Sequence, residues 1–130
     1  MAAYADPTEQ LVVEVFVRDI ARAKAFYEQL GFEVLGDHGA FVALAWEGCQ
    51  LYLAERRDLP PPPEHPQANV RIMVPDVDSA WARAGTIGAR ILDPIADREY
   101  GLRDFTIADP EGFAVRFGTV LSGGEAERAT

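Results

Sequence analysis

Apolar and polar positions along the chain fall into two copies of one pattern. Residues 11–17, LVVEVFV, are a run of mostly β-branched apolar side chains with one carboxylate, Glu14, in its middle. Such a run predicts a strand. It leads into Asp19, an expected helix N-cap, and then a helix over 20–30 in which Ile20, Ala23, Phe26, Tyr27 and Leu30 recur at helical spacing. Gly31 suits the left-handed position that ends a helix. Three strands are expected next, at about 32–35, 40–46 and 50–55, separated by the turns GDHG and WEGC. The second half repeats this order. It has a strand at 69–74, Asp76 as N-cap, a helix at 77–86, Gly88, and strands at 89–92, 103–108 and 113–118 with a DPEG turn.

The two copies keep a fixed register. Val17/Val74, Asp19/Asp76, Gly31/Gly88 and Leu35/Leu92 share an offset of 57 residues, and WEG at 46–48 matches PEG at 110–112 at an offset of 64. A longer loop in the second half, around DPIADREYGLR, accounts for the change. A duplicated unit sets the organisation of everything else. The expected order is an N-terminal extension (1–9), a βαβββ unit (10–55), a proline-rich linker (56–68), a second βαβββ unit (69–119) and a flexible tail (120–130). Prolines in RRDLPPPPEHPQ exclude helix and inner strand from the linker. The fold class is therefore α+β.

Charge narrows the partners. The formal net charge of −9 disfavours nucleic acid and anionic membrane surfaces, which require clustered Lys and Arg, and would favour a cationic small molecule. The single Cys49 excludes an internal disulfide and suits a reducing compartment. No basic, apolar leader opens the chain and no run approaches the roughly 18 apolar residues of a membrane span. A cytoplasmic location is expected.

The stretches VRDIARAKAFYEQLGFEV and YGLRDFTIADPEGFAVRF resemble the opening strand–helix–strand and the final hairpin, with its D-P-x-G turn, of the vicinal oxygen chelate superfamily. That superfamily includes glyoxalase I, extradiol dioxygenases and bleomycin resistance proteins, and the likeness covers about residues 10–119. It implies tandem βαβββ units forming a partly closed mixed sheet around a central cleft, a homodimer, and in the enzymes a divalent metal held from the first and last strands. Aligned on those motifs, the ligand positions are Val12, Tyr52, Asn69 and Arg116. A hydrocarbon, a phenol, an amide and a cation are poor substitutes for carboxylates and imidazoles. No metal and no cofactor are expected, and His38 in its turn and His65 in the linker do not supply one.

Alternation across a strand assigns faces. With Val13, Val15 and Val17 on the helix, Glu14 and Phe16 share the other face. In the second unit Asn69, Arg71 and Met73 oppose Val70, Ile72 and Val74, and Arg116 opposes Val115 and Phe117. The polar exceptions Glu14, Tyr52, Asn69, Arg71 and Arg116 thus gather on the cleft face. A buried carboxylate costs several kcal/mol unless paired, so Glu14 is expected to meet Arg116 or Arg71. Those groups would anchor a ligand in an otherwise apolar pocket, with Phe16 and the loop residue Tyr100 as walls; Tyr100 lies in a Y-G-x-R stretch like that of bleomycin resistance proteins. The favoured function is binding or sequestering a small aromatic or amphiphilic molecule, in the manner of antibiotic resistance proteins, rather than catalysis. Three alternatives stay open: a metal-dependent lyase, isomerase or dioxygenase; a metal-free enzyme with Glu14 as general base; and a non-catalytic dimeric module whose cleft is filled by a salt bridge.

Overall fold

In a computed structural model, which describes residues 4–122, the chain forms two compact units, one up to Pro61 and the other from Pro62. The division falls within the proline segment, whose locked φ angles and missing N–H groups keep it out of both sheets. Each unit is a four-stranded mixed sheet with one helix on one face, an α+β architecture.

In the first unit, β1 (Val13–Val17) leads to α1 (Ile20–Leu30), then β2 (Glu33–Asp37), β3 (Phe41–Trp46) and β4 (Cys49–Glu55). The strand order is β1-β4-β3-β2, with β1 parallel to β4 and the other pairs antiparallel. Asp19 caps α1 by accepting a hydrogen bond from the Arg22 N–H at 3.0 Å. The helix ends where Gly31 turns to a φ of 120°, a conformation disfavoured for a side chain with a Cβ. Ala23, Tyr27 and Leu30 of α1 are buried, as are Val15, Val17, Val42, Leu44, Leu51 and Leu53 of the sheet. Full burial contributes roughly 1.5–3 kcal/mol for each such Val or Leu, and this is the stabilising core of the unit. Leu11 stays out of the strand and is exposed, so β1 is two residues shorter than the apolar run suggested.

The second unit repeats the arrangement as β5 (Asn69–Met73), α2 (Val77–Thr86), β6 (Arg90–Asp97), β7 (Leu102–Ala108) and β8 (Ala114–Val120), in the order β5-β8-β7-β6. Trp81 of α2 meets Phe105 edge-on at 5.1 Å, and Phe105 stacks on Phe117 at 5.5 Å. One expectation is corrected. The stretch after 92 is not a loop, since β6 continues through Pro94 to Asp97, with register shifts on either side of Asp93. β6 is the edge of its sheet, where a residue without an N–H need not interrupt a ladder. The DPEG turn is closed by Asp109, whose Oδ1 accepts from the Glu111 and Phe113 N–H groups at 2.8 and 2.9 Å. Of the expected tail over 120–130, Val120 belongs to β8, and residues 123–130 lie outside the described residues, as do residues 1–3 of the extension. Among the described residues no helix is long and apolar enough to cross a membrane.

Candidate functional site

Each sheet has one face covered by its helix, and the predicted site residues on strands lie on the opposite face. That face is exposed to half-buried around Glu14, Phe16 and Tyr52 in the first unit and largely buried around Asp104, Ala108 and Ala114 in the second. Tyr100 lies in the turn between β6 and β7. The alternation inferred for β1 holds from Glu14 onward, whereas Val13, expected to pack with Val15 and Val17, is exposed at the start of the strand. Val15 and Val17 are buried, while Glu14 and Phe16 are exposed on the other side. In the parallel ladder Glu14 is in register with Tyr52, and Phe16 with Ala54; in the neighbouring hairpin Tyr52 faces Ala43 and Ala54 faces Phe41. The Phe41 and Tyr52 rings meet edge-on at 5.2 Å. His38 folds back from its turn so that its ring stacks with Phe41 at 6.3 Å, and its Nε2 is the atom a Cβ on Gly36 would meet. The guanidinium of Arg56 sits over the Phe16 ring, 4.4 Å from its centroid.

Glu14 therefore incurs no burial cost that a partner must offset. Its side chain is exposed and takes no ion-pair partner among the described residues of its unit. The buried general base entertained from the sequence is not what this strand provides.

On the face of the second sheet away from Val115 and Phe117, Arg71 is in register with Arg116, and Thr106 faces Arg116 from β7. The acid that answers Arg116 is Asp104, two residues along β7 from Thr106 and only 1% exposed. Arg116 Nη2 donates to Asp104 Oδ2 at 2.5 Å and its Nε donates to the same oxygen at 3.1 Å. Arg98 Nε donates to Oδ1 at 2.8 Å, and the Tyr100 hydroxyl donates to Oδ2 at 2.6 Å while accepting from Arg116 Nη2. Arg98 also donates to the Pro94 carbonyl at 2.6 Å and lies 3.4 Å from Asp93. Burial pushes the Asp104 carboxyl up, but hydrogen bonds from Tyr100, Arg98 and Arg116 outweigh it and hold the group below its ordinary 3.8. Burial and the bond to Asp104 raise the Tyr100 hydroxyl above 10.0, against the opposing charge of Arg116. Arg98 is raised chiefly by its hydrogen bond to Asp104.

Tyr100 is thus tied into a polar network, although its ring remains 45% exposed and faces the Arg116 guanidinium carbon at 5.3 Å. Arg71 and Asn69 are exposed and stand outside that network. Sequence reasoning missed Asp104, Arg98, Phe41, His38 and Arg56. Parity along β7 puts Asp104 on the face of Arg116, and that signal was available. The reach of Arg98 from beyond the end of β6, and of His38 back over Gly36, was not.

The donor set tests the metal expected in enzymes with this strand pattern. In the first unit Val12 has no donor atom and Tyr52 presents a phenol engaged with Phe41. In the second, Asn69 presents an amide and Arg116 a guanidinium already bonded to Asp104. A divalent ion held by His, Glu or Gln does not fit these groups. Among the described residues no three His, Cys, Asp or Glu side chains are grouped to hold a metal ion.

Two βαβββ units in tandem, each a mixed sheet with one helix, define the class of the fold, and comparison with known proteins gives the family. The model of the Glyoxalase/Bleomycin resistance protein/Dioxygenase superfamily matches residues 10–117, and the chain belongs to that superfamily. Among solved structures it is similar to TioX from Micromonospora sp. ML1, with 26% identity and a TM-score of 0.72 over 85% of this chain and 98% of the other. A glyoxalase/bleomycin resistance protein/dioxygenase family enzyme from Burkholderia phytofirmans PsJN shares 21% identity, with a TM-score of 0.75 over 90% of this chain and 100% of that one. The bleomycin resistance determinant encoded on transposon Tn5 shares 20%, with a TM-score of 0.72 over 87% and 98%. No curated protein matches the sequence.

Proposed function

We propose that this chain binds and sequesters a small aromatic or amphiphilic molecule without metal and without catalysis, as a cytoplasmic homodimer. The observation that carries the reading is the open face of the first unit. There Phe16, 41% exposed, and the half-buried Phe41 and Tyr52 line one side of a sheet around the exposed carboxylate of Glu14. Ligand sites combine apolar and aromatic walls with a few polar anchors, and aromatic rings left open on a strand face are the usual material of such walls. The misfit between Val12, Tyr52, Asn69, Arg116 and a divalent ion supports metal independence. The likeness to a bleomycin resistance determinant supports sequestration at the level of fold. In the second unit, Asn69, Arg71, Tyr100 and Arg116 supply polar contacts, with Arg71 as the cation left outside the Asp104 network.

The test has two parts. Purified protein is incubated with nickel, zinc, iron and manganese, desalted and assayed by elemental mass spectrometry; only trace metal is expected, and near-stoichiometric metal would give the lead to a glyoxalase-type enzyme. A thermal-shift screen of planar and amphiphilic compounds then seeks binders. A ligand present at a hundred times its Kd adds about 2.7 kcal/mol of stability, well within detection. Light scattering is expected to return twice the chain mass.

A further inference from the structure

The binding reading leaves the charge of the ligand open, and the first-unit face narrows it. Arg56 directly follows β4, and its backbone N–H donates to the Val17 carbonyl at 2.7 Å, which tethers it beside Phe16. Its guanidinium lies on the Phe16 ring at 4.4 Å instead of on a carboxylate, while its neighbour Arg57 pairs with Glu55 at 3.1 Å. Cations within about 6 Å of a ring centroid are held by the ring quadrupole. Glu14 lies two residues before Phe16 on the same face, exposed and without an ion-pair partner among the described residues of its unit. Next to it in register stands Tyr52, in edge contact with Phe41. The face therefore presents, side by side, a ring that already holds a cation, an exposed carboxylate and an aromatic pair.

Resting on the binding reading above, we infer that the first-unit face takes a planar organic cation, and that Arg56 is the internal cation such a ligand displaces from Phe16. A flat cation stacks on the rings and meets Glu14 at once. A neutral molecule of the same shape gains only the stacking, and an anion is opposed by Glu14 and by the chain's net charge of −9. Arg56 opposes a cationic ligand twice, by occupying the ring and by its like charge.

The probes are N-methylquinolinium, quinoline (neutral at neutral pH) and 2-naphthoate, titrated into the full chain by calorimetry with amide chemical shifts followed at Glu14, Phe16 and Tyr52. The cation is expected to bind about tenfold more tightly than quinoline and to shift those three amides, with naphthoate weaker still. Glu14→Gln is expected to lose that advantage for the cation and leave quinoline unchanged; because Glu14 is exposed, its unfolding curve should match the parent. Arg56→Gln is expected to tighten the cation several-fold. Equal binding of quinoline and the cation, or an equal effect of Glu14→Gln on both, overturns the charge assignment while the binding function stands. Unchanged cation affinity in Arg56→Gln overturns the displacement. Failure of all three probes to shift the face overturns this inference, and the binding reading then stands or falls on the broader thermal-shift screen.

Discussion

The same ladder position holds an aromatic pair in one unit and an ion pair in the other. Tyr52 on β4 and Arg116 on β8 occupy equivalent places, facing Ala43 and Thr106. One step along, Phe41 faces Ala54 where Asp104 faces Gly118. In the first unit the two positions give rings 5.2 Å apart; in the second they give a 2.5 Å charge-assisted bond to a carboxylate that is 1% exposed. The strands beside them repeat the contrast, with Glu14 next to Tyr52 and Arg71 next to Arg116. On the helix side the units stay alike, because both must bury a branched or aromatic layer under a helix. The duplicated scaffold constrains one face of each sheet and leaves the other free to take opposite chemistry.

The largest way to break that contrast is to remove its buried acid. Asp104→Ala is expected to lower stability by about 3 kcal/mol, at the low end for buried pairs because Arg98 and Arg116 both reach solvent. Phe41→Ala at the equivalent position, half-buried, is expected to cost about 1–2 kcal/mol. Urea unfolding of the two variants compares them, and equal losses would mean that the ion network is no more structural than the ring pair.

The hairpin turns give the next effect. Gly112 has a φ of 88°, and a Cβ there would stand 2.6 Å from the Pro62 Cβ, whereas nothing lies within 4 Å of a Cβ on Gly48. Gly112→Ala is expected to cost about 2 kcal/mol, from a left-handed backbone and displaced proline, and Gly48→Ala less than about 0.5 kcal/mol. Their midpoints in urea decide it.

A smaller effect is pH-dependent and confined to the second unit. Asp104 is held below 3.8 in the fold, so its contribution is complete above 3.8 and is lost as pH falls through the depressed value. Tyr100 is held above 10.0, so its share is complete below 10.0 and is lost as pH rises through the raised value. The stability difference between the parent and Asp104→Ala should shrink in acid. Tyr100→Phe should flatten the alkaline limb, and a limb that persists unchanged would exclude Tyr100 as its source. Last come the features the units share. Asp19→Ala and Asp76→Ala each remove a helix N-cap and should lower the melting temperature by a similar few degrees; a marked difference would show that the two helices are not equivalent.

Much of the fold was legible because it is written locally. Both helices begin after their capping aspartates and run as the apolar spacing predicts, over Ile20–Leu30 and Val77–Thr86. The parity that puts Val15 and Val17 inside and Glu14 and Phe16 outside follows from the two-residue period of a strand. The candidate site was legible only as a face. Tyr52, Phe16 and Glu14 were placed together, but their neighbours Phe41, His38 and Arg56 come from another strand and from two turns, and no spacing rule connects them.

The sequence by itself determined the duplication, the helix ends and the face on which each strand residue stands, since these depend on capping and periodicity within a few residues. Only the tertiary structure decided what each of those residues meets. Whether Glu14 is buried or exposed, that Arg116 is answered by Asp104, that Arg98 reaches it from beyond an edge strand carrying Pro94, and that Arg56 lies on Phe16 all depend on strand order and ladder register. Register brings together residues far apart in the chain, and one step along a ladder exchanges the partner of every charge on the face.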